Sequence, residues 1–238
     1  MNELLLIGSV VFVFGMVLVA FRLFGRAGLY CMSVVAMVLA NVEVLLLVRA
    51  FGVEQTLGNV LFASTFLITD ILSECYGKRA ANRAVSLGLL VSVFFLALSQ
   101  SWLLYVPSAG DTMRPAFEQI FSTTPRMMLA SFTVYAVSQF FDVWLYHRWW
   151  DLTTRLCGDR DRFLWLRNNG STLVSQLVNT ALFTVVAFWG TYDVPTIVSI
   201  FASSYAIYVV TSLLDTPCVY IARRIHRGHA QREGLATS

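Results

Sequence analysis

Of the 238 residues, 57% are apolar and only 13% are charged, with a mean hydropathy of +0.68. A soluble domain of this size cannot cover that much apolar surface, so the composition excludes an ordinary globular protein and leaves no room for a separate soluble module. The formal net charge of +3 does not mark a nucleic-acid partner, because in a bilayer the place of each basic residue says more than their sum.

In chain order, the first apolar segment covers residues 4–21. Met1-Asn2-Glu3 lacks the positive charges of a signal-peptide start, and Arg22 and Arg26 follow as a stop-transfer signal would, which predicts a retained helix. Further apolar segments fall at 28–48, 57–72, 84–104, 127–146, 171–189 and 195–214, most of them near the roughly 20 residues a crossing needs. The connection between the fourth and fifth carries Pro107, Gly110, Pro115 and Pro125, which break helices. It reads as an external lid with a short interfacial turn near Phe117 to Phe121. After Arg223 the chain is polar and basic.

Fourteen of the 17 Lys and Arg residues fall in alternate connections, at Arg22 and Arg26, at Lys78, Arg79 and Arg83, between Arg148 and Arg167, and from Arg223 onward. Only Arg49, Arg114 and Arg126 fall in the others. The positive-inside rule then predicts an all-α integral membrane bundle of about seven (six to seven) transmembrane helices, with the N-terminus outside and the C-terminus cytoplasmic. Residues 1–222 form the single transmembrane domain and 223–238 a basic tail that frays, in a multi-pass protein of the cytoplasmic membrane.

Polar side chains at membrane depth are costly, on the order of 2.5–3.5 kcal/mol for a charge at a helix centre, so they mark candidate functional positions. They are Asn41, Glu43, Asp70, Gln139, Asp142, Gln176 and Asn179. Asp70 and Glu74 are four apart, Gln139 and Asp142 three apart, and Thr172, Gln176, Asn179 and Phe183 share one helical face, so each group points one way from its helix. These helices are expected to line an inward-opening cavity, with Glu43 as a second wall or outer gate. The plainer alternatives are that Asp70 and Glu74 end a helix at the headgroups, and that Gln139 and Gln176 join helices through hydrogen bonds. Ser138-Gln139-Phe140-Phe141-Asp142 and Ser175-Gln176-Leu177-Val178-Asn179 echo one another as S-Q-x-x-[DN], a weak sign of an internal repeat.

Catalytic signatures are missing. The chain has no phosphate-binding glycine loop, no H-E-x-x-H, no G-x-S-x-G and no dinucleotide fingerprint, so it reads as neither an enzyme nor an ATPase, and no cofactor is expected. Cys31, Cys75, Cys157 and Cys218 have neither metal-site nor disulfide spacing. His147, His226 and His229 fall in cytoplasmic segments.

Three stretches resemble the queuosine precursor transporter family, also called the putative vitamin uptake transporter family. They are Thr69-Asp70-Ile71-Leu72-Ser73-Glu74-Cys75-Tyr76-Gly77-Lys78, Ser138-Gln139-Phe140-Phe141-Asp142-Val143, and the run from Leu166-Arg167-Asn168-Asn169-Gly170-Ser171-Thr172 to Ser175-Gln176-Leu177-Val178-Asn179-Thr180. Asn41 fits the pattern too. The chain departs from it at Asn179-Thr180, where the family usually has Asp-Thr. The resemblance implies import of 7-deazaguanine precursors of queuosine, 7-cyano-7-deazaguanine and 7-aminomethyl-7-deazaguanine. The motif positions and the polar positions at membrane depth together give the expected substrate contacts: Asn41, Glu43, Asp70, Glu74, Gln139, Asp142, Arg167, Thr172, Gln176, Asn179 and Phe183. A carboxylate would accept from the N1–H and amine edge of the ring, amides would donate to its carbonyl, and Phe183 or Tyr76 would stack on its faces. The partners expected are this purine-like small molecule and the lipid bilayer, with a homodimer left open. The chain is read as a self-sufficient secondary or facilitative carrier. The alternatives are a substrate-binding subunit of an ATPase-energised vitamin uptake complex, for which Gly8 and Gly15 are too far apart to make a small-x-x-x-small docking motif, and a structural or enzyme-like membrane protein.

Overall fold

The computed structural model describes the backbone of residues 1–121, 125–159, 162–188, 190 and 193–236, and all their side chains except those of 53, 54, 125–130, 187, 188 and 229–236. Arg126, Arg160, Trp189 and Arg232, used above for loop charge and a segment end, therefore lie outside the described side chains. The described elements are α1 (Asn2–Glu43), β1 (Leu47–Ala50), β2 (Val53–Thr56), α2 (Gly58–Tyr76), α3 (Lys78–Leu104), α4 (Arg114–Phe121), α5 (Pro125–Cys157), α6 (Leu164–Phe188) and α7 (Val194–Ala236).

The first two predicted segments are the two arms of α1. Gly25 departs from helical geometry with φ 55° and ψ −134°, a conformation open to glycine because it has no Cβ. A Cβ on Gly28 would lie 2.3 Å from the Ala20 carbonyl oxygen. Residues eight apart on one straight helix are separated by ~12 Å, so the arms fold back on each other around Gly25. The second arm ends at Glu43 and not at residue 48. Leu47 and Val48 instead enter the antiparallel hairpin β1–β2, with Leu47 opposite Thr56 and Ala50 opposite Val53. Phe51 and Gly52 at its tip both have positive φ, 54° and 79°, as the two-residue turns that match strand twist require. The apolar run 44–48 is thus continuous in hydropathy but not in helix.

α2 packs against α1, α3, α5 and α7, and every residue from 63 to 73 is buried. A helix enclosed on all sides is apolar nearly all round, and α2 sets Phe66, Leu67, Ile68, Ile71 and Leu72 among the polar Ser64, Thr65, Thr69, Asp70 and Ser73. Gly77, at φ 82°, ends it.

Asn2–Glu43, Lys78–Leu104 and Val194–Gly228 are long and apolar enough to cross a membrane. Their outward faces leave Leu4, Leu5, Val11, Phe12, Leu90, Val93, Phe94, Leu213 and Leu214 exposed. Large apolar side chains exposed in rows along helices fit contact with lipid. The chain is an all-α membrane protein.

The bundle has two ends. At one, the N-terminus meets the hairpin: Asn2 Nδ2 donates to the Arg49 carbonyl at 2.9 Å, and the Phe51 N–H donates to Glu3 Oε1 at 3.4 Å. At the other, Tyr76 gathers Arg26, whose guanidinium is 5.8 Å from the ring centroid, and His226, whose ring lies 4.9 Å away. α7 meets the hairpin end of α2 through Tyr208, which donates to Asn59 Oδ1 at 3.1 Å, and the far end through Arg223 and His226. α7 therefore lies alongside α2 over residues 208–226, and the predicted segment 195–214 falls within this helix. The tail continues α7 as helix to Ala236, and Arg223 is part of the bundle.

Candidate functional site

α6 places a small or polar residue at each turn of one face. Arg167, Ser171, Ser175 and Asn179 recur every four residues, as do Asn168, Thr172, Gln176, Thr180 and Thr184, and all are buried. This spacing keeps two adjacent rows on one side of the helix. The predicted stripe of Thr172, Gln176, Asn179 and Phe183 is one part of it, and its partners divide into three layers.

The layer at the Tyr76 end centres on Glu74. Arg167 Nη2 donates to Glu74 Oε1 at 2.7 Å and to Oε2 at 2.9 Å, and its Nε donates to Oε2 at 3.0 Å. Arg167 Nη1 donates to the Arg162 carbonyl at 2.9 Å, and the guanidinium stacks 4.4 Å from the Trp150 ring centroid. Tyr146 donates to Glu74 Oε2 at 2.7 Å, and Arg223 lies 3.4 Å from Oε1. Arg167 and Glu74 are 0% and 3% exposed, so this is a dry, multiply bonded ion pair that closes the bundle between α2, α5, α6 and α7.

The middle layer holds three carboxylates, Asp70 from α2, Asp142 from α5 and Asp215 from α7, all buried. Thr172 donates to Asp70 Oδ2 at 2.9 Å, and Asn168 Nδ2 donates to Asp215 Oδ1 at 2.7 Å. Asp70 Oδ1, both oxygens of Asp142, Ser175 Oγ and Gln176 Oε1 are buried without a hydrogen-bond partner. On the hairpin side of these groups, Gln139 Nε2 donates to Thr65 Oγ1 at 2.6 Å, and Thr69 Oγ1 lies 3.1 Å from Gln139 Oε1. Both ends of that amide are taken up in joining α5 to α2.

The layer toward the hairpin is a cavity of about 600 Å³, among whose lining residues are Asn41, Gln55, Asn59, Phe62, Asn179, Thr180, Phe183 and Tyr208. Gln55 is 5% exposed, and neither end of its amide has a partner. Ser138 donates to Asn179 Oδ1 at 3.3 Å, which leaves the Asn179 amide N–H groups for whatever enters. Asn41 donates back to the Met37 carbonyl at 2.8 Å, so its oxygen remains available. No charged side chain is among the described residues that line this space.

Residues 56–222 match the family described as "Putative vitamin uptake transporter". The chain belongs to this family. It is a membrane transporter and not an enzyme. The transporter is 39% identical over 212 residues, 89% of its length and 90% of the relative's, to a protein of Bacillus subtilis (strain 168) named "Probable queuosine precursor transporter". It is 28% identical over 154 residues, 65% of its length and 64% of the relative's, to the "Queuosine precursor transporter" of Escherichia coli (strain K12). No solved structure matches it.

Of the residues the sequence singles out, Asn41, Asn179 and Phe183 line the cavity of the transporter. Asp70, Gln139, Asp142, Thr172 and Gln176 lie in or beside the layer beneath it, Glu74 and Arg167 hold each other at the far end, and Glu43 lies outside the cavity lining. Sequence reasoning passed over Asp215, Asn168, Gln55, Asn59 and Tyr208. Asp215 fell just beyond a segment drawn to end at residue 214, and Gln55 sits in a connection with no helical period. The S-Q-x-x-[DN] echo has a spatial counterpart. Ser138 of one copy bonds Asn179 of the other, while Ser175 of the second faces Asp142 of the first, a reciprocal pairing of the kind two antiparallel copies make.

Proposed function

We propose that the chain imports queuosine precursors, 7-cyano-7-deazaguanine and 7-aminomethyl-7-deazaguanine, across the cytoplasmic membrane as a self-sufficient carrier. The observation that carries this reading is the cavity. Its volume of about 600 Å³ falls in the range of small-molecule sites, roughly 300–1,000 Å³. Its lining of carboxamides and aromatic rings suits a flat heterocycle with a donor edge and a carbonyl. The amide oxygens of Asn41 and Gln55 accept from the N1–H and exocyclic amine, the Asn179 amide donates to the carbonyl, and Phe62, Phe183 or Tyr208 covers a ring face. In this reading Asn41, Asn179 and Phe183, which line the cavity, contact the substrate. Asp70 and Asp142 act beneath the bound ring, and the Glu74–Arg167 pair is the closure that opens to release it.

In this reading the two arms of α1 together with α2, α3, α5, α6 and α7 make seven crossings, and the hairpin end faces outside. Support comes from the charges at the Tyr76 end, where Arg22, Arg26, Lys78, Arg79, Arg83, Arg223, Arg224 and Arg227 collect. In a background lacking Cys31 and Cys157, both exposed, cysteine probes at residues 2 and 110 are expected to react from outside. Probes at residues 160 and 230 are expected to react only after permeabilisation. Outside labelling at 160 overturns the orientation.

Ligand-dependent stabilisation of the purified protein tests the substrate. 7-Cyano-7-deazaguanine at a hundred times its Kd should add about 2.7 kcal/mol to the stability of the folded state, seen as a raised Tm, and adenine at the same concentration should not. Equal shifts, or none, remove the 7-deazaguanine reading.

A further inference from the structure

Between the cavity and the Glu74–Arg167 closure, Asp70 and Asp142 lie together in the buried middle layer, with Asp70 Oδ1 and both Asp142 oxygens unpartnered. Two carboxylates are acceptors only and repel, whereas a carboxylic acid and a carboxylate form a short, strong bond. A proton shared between two such groups in a dry interior replaces that repulsion with this bond. Among the described residues, the groups that stand around the pair are acidic or neutral. Around Asp142 stand Asp70 from α2 and the Ser171 and Ser175 hydroxyls from α6; around Asp70 stand Asp142, Asp215 from α7 and Thr172 from α6; Asn168 and Asp142 face Asp215. The cations of the next layer, Arg167 and Arg223, are drawn to Glu74. A second observation points to an exchangeable occupant. Ser175 Oγ, fully buried and beside Asp142, has no hydrogen-bond partner, and neither does either Asp142 oxygen.

We propose that the Asp70–Asp142 pair is a proton-binding site and that import is coupled to a proton passing through it. The proposal rests on the carrier reading above. A proton entering from the cavity side is held on one carboxyl oxygen of the pair while the ring occupies the cavity. Its departure toward the Tyr76 end leaves both carboxylates ionised. Asp70 lies one helical turn, about 6 Å, from Glu74 on the same face of α2, so the charge left behind competes with Glu74 for Arg167. Proton release and opening of the closure are then one event, with no change in the oxidation state of any group.

Liposomes containing the purified full chain, loaded with the pH dye pyranine, test this with 7-cyano-7-deazaguanine as the probe. An imposed inward proton gradient should raise initial uptake about tenfold over the gradient-free rate, and substrate addition should acidify the lumen. In Asp142→Asn and Asp70→Asn, each checked for folding by size-exclusion profile, the ratio of gradient-driven to gradient-free uptake should fall to one, whatever the absolute rate. Wild-type counterflow that ignores a proton gradient, or answers to a sodium gradient instead, overturns the proposal and leaves the carrier standing. An undiminished ratio in both variants moves the proton elsewhere and overturns it too. Wild-type liposomes with neither uptake nor counterflow remove the carrier reading and this inference with it.

Discussion

Arg167→Ala is expected to lower the stability of the folded protein by about 3–5 kcal/mol, because deleting one partner of a buried ion pair strands the other. Glu74 is 3% exposed, and three of its close contacts come from the Arg167 guanidinium, at 2.7, 2.9 and 3.0 Å. Tyr146 and Arg223, at 2.7 and 3.4 Å, compensate only in part. The Trp150 ring also loses the cation above it. Arg167→Lys should recover little, since a point charge cannot reproduce a two-pronged contact. The double variant Glu74→Gln/Arg167→Ala should be more stable than Arg167→Ala alone, because it no longer buries an unpaired carboxylate. Thermal unfolding in detergent measures this. A Tm for Arg167→Ala within a degree of the parent would mean that the closure contributes little to folding.

Asn179→Ala is expected to raise the Kd for 7-cyano-7-deazaguanine roughly tenfold to hundredfold, the equivalent of about 1–3 kcal/mol for a ligand carbonyl left without its donor. Its oxygen is already held by Ser138 at 3.3 Å, so its free N–H groups are those the ligand would use. Gln55→Ala should act in the same direction. Gln139→Ala is the contrasting case. Its amide is engaged by Thr65 and Thr69, so its loss should appear in Tm more than in Kd. Equilibrium binding to purified protein separates these outcomes, and an unchanged Kd in both Asn179→Ala and Gln55→Ala would move the site out of this cavity.

Hydropathy made the helical segments legible because a bilayer imposes one length and one polarity on every crossing. It failed where length and helix part company. The run 44–48 is apolar enough to prolong a span, yet it turns into a hairpin behind Glu43. α7 carries apolar residues well beyond the hairpin end of α2, so a hydropathy window settled on 195–214 and left Asp215 outside, although Asp215 packs inside against Asn168. The polar stripe of α6 was visible as a period. What each member touches was not, because pairing depends on how α2, α5 and α7 are rotated against α6. Arg167 and Glu74 are 93 residues apart in the chain and find each other only in the folded bundle. Gln55 carries no periodic signal, and its place in the cavity wall follows from the fold of the hairpin against α7.

The most direct test of the account is uptake of 7-cyano-7-deazaguanine into liposomes that contain this chain and no other protein. The expected result is saturable accumulation without ATP, competed by unlabelled 7-cyano-7-deazaguanine and unaffected by adenine. Tight binding with no uptake until an ATPase complex is co-reconstituted would contradict it and assign the chain the role of a substrate-binding subunit.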